Sequence, residues 1–391
     1  MRDVVITSAV RTPVGAFQGS LSSVKATELG SLVIEHAIKR SNINSEDVNE
    51  VIMGNVLPAG LGQAPARQAA LGAGLPERTE CLTINKVCGS GLKAVMLATQ
   101  AIQVGDADIV VAGGMESMSN VPYYLPKARD GYRMGNKEAV DGMIHDGLWD
   151  VYNDYHMGNA AELCARENNI PREDQDEFAK LSYERAIDAQ QNGRFKDEII
   201  PVEVPQRKGE PVVVSEDEEP KRANFEKMPK LRPAFDKDGT VTAANASKIN
   251  DGAAALVVMA ADVAKDLSAP ILVRILGQAS AAKAPEWFTT APVDAINKVL
   301  EKTGRKKESI DLYEINEAFS VVTLVANRQL DIPLDKINVN GGAVALGHPI
   351  GASGARILTT LIYALQQRNL KTGLATLCIG GGEASALVVE R

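Results

Sequence analysis

The chain repeats itself, and this limits what it can fold into more than any other feature. Cys88-Gly-Ser-Gly-Leu-Lys, then a helix pattern and Val111-Ala-Gly-Gly-Met-Glu, lines up with Gly351-Ala-Ser-Gly-Ala-Arg, a second helix pattern and Cys378-Ile-Gly-Gly-Gly-Glu. Glu50-Val-Ile-Met-Gly-Asn matches Asp311-Leu-Tyr-Glu-Ile-Asn in the same way. Self-similarity on this scale means one supersecondary unit used twice. The unit is βαβ-based, so two copies are expected to pack face to face. A site then forms where their helix starts and strand ends converge.

The rest of the chain fills in around that unit. Residues 3–10 and 50–55 read as strands, 26–39 and 66–71 as helices. Residues 83–87 read as a buried strand ending on Cys88, with a helix from there to about 104. Residues 108–112 form an apolar strand closed by Gly113-Gly114. This alternation predicts a largely parallel sheet with crossover helices. Between 117 and 248 the texture changes: Pro, Gly and charge rise, helices are expected over 155–168 and 172–192, and Glu216–Glu219 reads as a solvated loop. This segment reads as a lid inserted into the sheet unit. Strands return at 253–259, 271–276, 312–315, 376–378 and 386–389, with helices over 294–303 and 353–366. The expected division is an N-terminal half over 1–117 completed by 249–268, a lid over 118–248, and a C-terminal half over 269–391.

Composition narrows the function. With 45% hydrophobic residues in 391, large cores are available. A net charge of -8 leaves no basic face to neutralise phosphates, which argues against nucleic acid. No apolar run is long enough to span a bilayer, and the start runs straight into a strand with no leader pattern. Four cysteines in so long a chain are not a disulfide framework, and no CxxC or Cys/His cluster suggests zinc, so no metal is expected. A reducing cytoplasm and a catalytic thiol fit better.

Cys88 stands at a helix start, where unpaired N–H groups and the helix dipole favour thiolate. Gly89 and Gly91 leave room in front of the sulfur; the plainer reading is a small buried hydrophobe. Gly347-His348-Pro349-Ile350-Gly351 is a rigid, open loop carrying one of only four histidines. Cys378 ends a strand before Gly380, Gly381 and Gly382, whose N–H groups suit an oxyanion hole. Asn316 follows a strand, where it can cap a helix or hold a water. One Cys/His pair suffices for acyl transfer. A second thiol is needed where a proton must also move on carbon, which points to carbon–carbon chemistry at a thioester.

Five stretches in order, Asn85–Lys93, Asn245–Ala254, Asn316–Phe319, Gly347–Gly354 and Cys378–Gly382, together resemble the thiolase family, of the acetyl-CoA acetyltransferase type, over essentially the whole length. The resemblance implies the thiolase fold, an α/β architecture of two duplicated βαβ-based halves stacked as an α-β-α-β-α core, with an inserted lid that binds coenzyme A. It implies that Cys88 is acylated, that His348 accepts its proton, and that Cys378 moves the α-proton. Asn316, through a water, and His348 would polarise one thioester oxygen; the N–H groups of Cys88 and Gly380 would hold the other. Leu148, His156, Met157, Phe235, Ala243, Ser247, Ala318 and Phe319 would line the coenzyme A path, with His156 favouring short-chain substrates and Lys221 or Arg222 near the phosphates. Acetyl-CoA, acetoacetyl-CoA and CoA are the implied substrates, with no separate cofactor, in a homotetramer built from dimers.

Gly89 departs from the serine common after the nucleophile, and Glu383-Ala384 replaces the usual methionine and glycine. Glu383 would raise the Cys378 pKa if it faced the site, and Trp149 would narrow or prop the acyl pocket. Three alternatives stay open: a broader-range 3-ketoacyl-CoA thiolase, a ketoacyl-synthase-like condensing enzyme, and a non-catalytic thiolase-like subunit.

Overall fold

The computed structural model describes residues 2–391. Its strands and helices alternate as β1 (Val4–Arg11), α1 (Ala26–Arg40), β2 (Glu50–Gly54), α2 (Pro65–Gly72), β3 (Glu80–Ile84), α3 (Ser90–Val104) and β4 (Ile109–Ser117). The segment that follows holds short two-stranded ribbons and two long helices, α4 (Met157–Glu167) and α5 (Arg172–Gln191). The sheet then resumes with β5 (Asn250–Ala260) and β6 (Val273–Ala282). After these come α6 (Ala291–Thr303), β7 (Leu312–Ile315), α7 (Ser320–Leu330), α8 (Ala343–Leu346), α9 (Ile350–Gln367), β8 (Thr372–Ile379) and β9 (Glu383–Glu390).

The strand order is β7-β8-β9-β6-β1-β5-β4-β2-β3. It reads as two half-sheets related by the sequence repeat. In one half the order is β3-β2-β4-β5-β1, and in the other β7-β8-β9-β6, with Ile337 bridging Tyr313 in the place β3 holds beside β2. The halves join through only two residue pairs, Val5 with Arg274 and Ile6 with Val273. The expectation of a largely parallel sheet is corrected here. β2 pairs in parallel with β3 and β4, and β7 with β8, but the centre is antiparallel. In the first half the cause is β5, which arrives after the inserted segment and slots between β1 and β4; in the second half β9 turns straight back on β8 and pairs with β6. No local pattern announces such a long-range partner.

Both faces of the central strands are buried, and successive residues serve different layers. Val5, Val51, Val111 and Val257 pack on α1 and α2 through Leu29, Val33 and Ala69. Their neighbours Ile6, Ile52, Val110 and Leu256 face a middle layer made by Leu92 and Val95 of α3 and Ile357 and Leu361 of α9. Leu377 and Leu387 of the second half-sheet cover that layer from the other side. Leu374 and Val388 face outward to Ile296 and Val322 of α6 and α7. The layers therefore run α-β-α-β-α. In the middle, α3 and α9 touch backbone to backbone: a Cβ on Gly91 would lie 2.8 Å from Ala355 N, and one on Gly354 2.3 Å from Leu92 N. Gly113 and Gly114 do not close their strand as expected. β4 runs through them, because Gly114 lets the Gly351 carbonyl approach where a Cβ would lie 2.0 Å away.

Candidate active site

Cys88 does not end a strand. β3 stops at Ile84, and a tight turn carries the chain into α3. Val87, just before the cysteine, has φ +46°, a left-handed conformation that a β-branched residue adopts only under constraint. The constraint is visible: Asn85 Oδ1 accepts from Val87 N–H at 2.9 Å, and the Ser90 hydroxyl donates to Val87 O at 2.7 Å while accepting from Lys86 N–H at 2.8 Å. Strained backbone of this kind aims a side chain, here the Cys88 sulfur. The expected thiolate preference is corrected too. Burial pushes the Cys88 thiol up to about 11, only partly opposed by the N–H groups of Gly380 and Cys88 that face the sulfur. The resting nucleophile is a thiol and needs a base.

That base lies at the start of α9. His348 is buried; its backbone N–H is held by Asn250 Oδ1 at 2.9 Å and its Nδ1 lies 2.5 Å from Ser353 Oγ. Its Nε2 has no partner among the described residues. Burial, helped by the Arg356 charge, pushes its pKa down to about 3, so the imidazole is neutral. Cys378, fully buried on β8, has its thiol raised well above the ordinary value by burial first and then by the nearby Cys88. Asn316 sits at the end of β7 with both amide atoms buried and unpartnered among the described residues. Such an orphaned amide suits a bound water.

A cavity of about 300 Å³ opens onto Cys88 and His348. Cys88, His348 and Gly380 line it together with Leu148, His156, Met157, Phe235, Ser247, Ala318 and Phe319. Cys378 and Asn316 lie behind that wall. Ala243 is exposed and outside the lining of this cavity. His156 caps α4 by accepting from Gly158 N–H at 3.0 Å, and its ring stacks on Phe235 at 4.7 Å. Phe319 meets Phe235 and Phe288 edge-on, so the wall is an aromatic shelf. Phe288, Met118 and Lys248 also line it and were not anticipated. Lys248 lay inside the Asn245–Ala254 stretch, but no local pattern marks a lysine for burial.

The departures resolve simply. Glu383 pairs with Lys86 and does not perturb Cys378. Trp149 is outside the cavity, its indole N–H on Asp154 Oδ1 at 3.1 Å. Lys221 and Arg222 are on the surface, paired with Glu216 and Glu219. A more open depression of about 510 Å³ beside α4 contains no nucleophile, and its buried Glu162 is taken up by the N–H groups of Thr240 and Val241. Among the described residues no three His, Cys, Asp or Glu side chains are grouped as a metal site requires, and no helix is long and apolar enough to cross a membrane.

The arrangement can therefore form and resolve an acyl-sulfur bond. It offers a nucleophilic thiol, a neutral imidazole with a free lone pair, N–H donors at the reacting centre, and a second thiol nearby. Comparison with known proteins gives the same picture. Residues 4–262 match the model of the thiolase N-terminal domain and residues 269–391 that of the thiolase C-terminal domain. An acetyl-CoA acetyltransferase of Schizosaccharomyces pombe is 54% identical over 390 residues, covering 100% of this chain and 99% of its own. The crystal structure of the Acat5 thiolase from Ascaris suum in complex with coenzyme A superposes with a TM-score of 0.95 at 46% identity, covering all of both chains. That of the Bacillus anthracis acetyl-CoA acetyltransferase gives 0.98 at 43% identity, covering 100% of this chain and 99% of that one.

Proposed function

Because this chain belongs to the thiolase family, we propose that it interconverts two acetyl-CoA with acetoacetyl-CoA and CoA through an acyl-Cys88 intermediate. The observation that carries this reading is the cavity in which Cys88, His348 and the Gly380 N–H meet, with Cys378 directly behind. His348 Nε2 takes the Cys88 proton as the sulfur attacks the thioester carbonyl. The oxyanion that develops is held by the Cys88 and Gly380 N–H groups, each such donor worth roughly 10²–10³ in rate. The departing CoA thiolate takes the Cys378 proton, which leaves an imidazolium and a thiolate whose charges cancel inside the cavity. The Cys378 thiolate then removes the α-proton of a second acetyl-CoA. The resulting carbanion attacks the acyl carbonyl, and Cys88 sulfur leaves with the proton held by His348. Cys88 thus regains its own proton from His348, while Cys378 gives its proton to the departing CoA and is refilled by the α-proton of the second substrate.

Asn316, through a water, and His348 steady the enolate oxygen of the second substrate. The aromatic shelf of His156, Phe235 and Phe319 supports a short acyl chain and the pantetheine arm, and Leu148, Met157, Ser247 and Ala318 complete the wall. The reading includes a cytoplasmic homotetramer, a dimer of dimers, acting in lipid metabolism with coenzyme A as substrate and no added cofactor. What supports self-association is the exposure of Tyr123, Leu125, Met134, Val151 and Tyr152 in one surface segment. What supports a reducing compartment is that Cys81, Cys88, Cys164 and Cys378 are free thiols. A coupled thiolysis assay across 3-oxoacyl-CoA lengths from four carbons upward tests the proposal. Fastest turnover at acetoacetyl-CoA is expected, and equal turnover of long chains would replace it with a broad-range enzyme.

A further inference from the structure

Lys248 is the one cavity-wall residue whose ammonium is built into the frame behind the reacting groups. Its Nζ donates to Ala246 O at 2.7 Å and to Val344 O at 3.2 Å, and lies 5.5 Å from the centre of the Tyr183 ring. Ala246 adjoins Ser247 on the cavity wall, and Val344 belongs to α8, the short helix that delivers Gly347 and His348. The preceding peptide of α8 is held as well, because Val344 N–H donates to Glu317 Oε2 at 3.1 Å. Glu317 is anchored by the Ser182 hydroxyl at 2.7 Å and Asn338 Nδ2 at 2.8 Å, and it follows Asn316 directly. Glu219, the other acid facing Lys248, accepts from Asn250 Nδ2 at 3.3 Å, and Asn250 holds the His348 backbone. The donors of Lys248 are thus taken up by backbone and ring.

We propose that Lys248 is a positioning residue, an ammonium clamp that fixes the His348 loop relative to the coenzyme A wall. Three loops that carry chemistry, at 246–250, 316–317 and 344–348, converge on it. Burying an ammonium is costly unless carbonyls or anions replace its water, and the two carbonyls, the ring and the carboxylates of Glu219 and Glu317 do so here. Burial nevertheless pushes the Lys248 pKa down to about 8. The clamp is therefore mostly charged at neutral pH and loses its charge as pH rises past that value. Its part in CoA chemistry rests on the function proposed above, whereas its grip on His348 does not.

The test uses the full chain and reads Cys88 alkylation by iodoacetamide, followed by mass spectrometry, in the native protein, Lys248→Met and Lys248→Arg. Thiolysis of acetoacetyl-CoA is measured in parallel. Lys248→Met keeps the stem and removes the charge. It is expected to slow alkylation by about tenfold or more at neutral pH through a displaced His348, and to raise KM for CoA as well as lower kcat. Lys248→Arg keeps a charge that does not titrate, so the native rate should fall behind that of Lys248→Arg as pH passes about 8. Native alkylation rate, KM and kcat in Lys248→Met would overturn the clamp. If Lys248→Met does not fold, superimposable pH profiles of the native and Lys248→Arg proteins would overturn it instead. A native chain without thiolysis would remove the proposed function, while the alkylation ratio still decides the role of Lys248.

Discussion

His348 Nδ1 lies 2.5 Å from Ser353 Oγ, and that hydroxyl donates its only proton to the Pro349 carbonyl at 2.9 Å. With the hydroxyl proton on Pro349 O, Ser353 accepts from Nδ1–H, which leaves Nε2 deprotonated and free toward the cavity. One serine in the first turn of α9 thus selects the tautomer that can act as a base. Ser353→Ala is expected to lower kcat by about ten- to a hundredfold, part of the roughly 10²–10⁴ a positioned base supplies. KM should barely move, and steady-state kinetics checks the split.

The two thiols should separate cleanly. Cys88→Ala is expected to abolish the acyl-enzyme mass shift on incubation with acetyl-CoA. Cys378→Ala is expected to reach the same shift, more slowly because the departing CoA thiolate has lost its proton donor, yet to lose condensation by a factor of about 10²–10⁴. Near-native condensation in Cys378→Ala would remove the carbon-acid role from that sulfur.

The pH behaviour follows from two opposite displacements. His348 is pushed down to about 3 and Cys88 up to about 11, so neither changes charge between those limits. A rise in pH through the ordinary imidazole value of about 6.5 then deprotonates nothing at the reacting pair. Cys88 alkylation should show no inflection there, and should rise toward strongly alkaline pH as thiolate forms. A clear step near the ordinary histidine value would show that the imidazole is more open to water than the structure has it.

Glu116 is a stability test at the edge of the site. Its buried carboxylate accepts from Asn55 Nδ2 at 2.7 Å and from the N–H groups of Val56, Leu57 and Gly351 at 3.0, 3.1 and 2.9 Å. Glu116→Gln turns an NH₂ toward donors, and should cost about 2–3 kcal/mol of unfolding free energy by denaturant titration. Because Gly351 follows the His348 loop, kcat should fall in the same variant.

What could be read from the sequence divides along physical lines. The strand Leu312–Ile315 has the bounds that its short apolar pattern gave, and three of the five motifs supply Cys88, His348 and Gly380, which share one cavity. Local chemistry dictates those features. The antiparallel centre was hidden because β5 is separated from its neighbour β4 by the whole inserted segment. Gly113-Gly114 looked like a strand stop because glycine's other use, admitting a neighbouring backbone, has no sequence signature. The thiol's raised pKa was missed for a related reason: a helix N-terminus can be recognised in a sequence, whereas the water excluded around a sulfur cannot.

The glycine-to-glycine crossing of α3 and α9 carries a further consequence. Gly91 and Gly354 are equivalent positions of the repeat, and each presses on the backbone of the opposite helix. Nucleophile and base are thereby mounted on two helices locked backbone to backbone, one stiff spindle. The surrounding aromatic wall has no share in that spindle. Substitutions there can drift toward new acyl groups over evolutionary time, while the distance between sulfur and imidazole stays as it was.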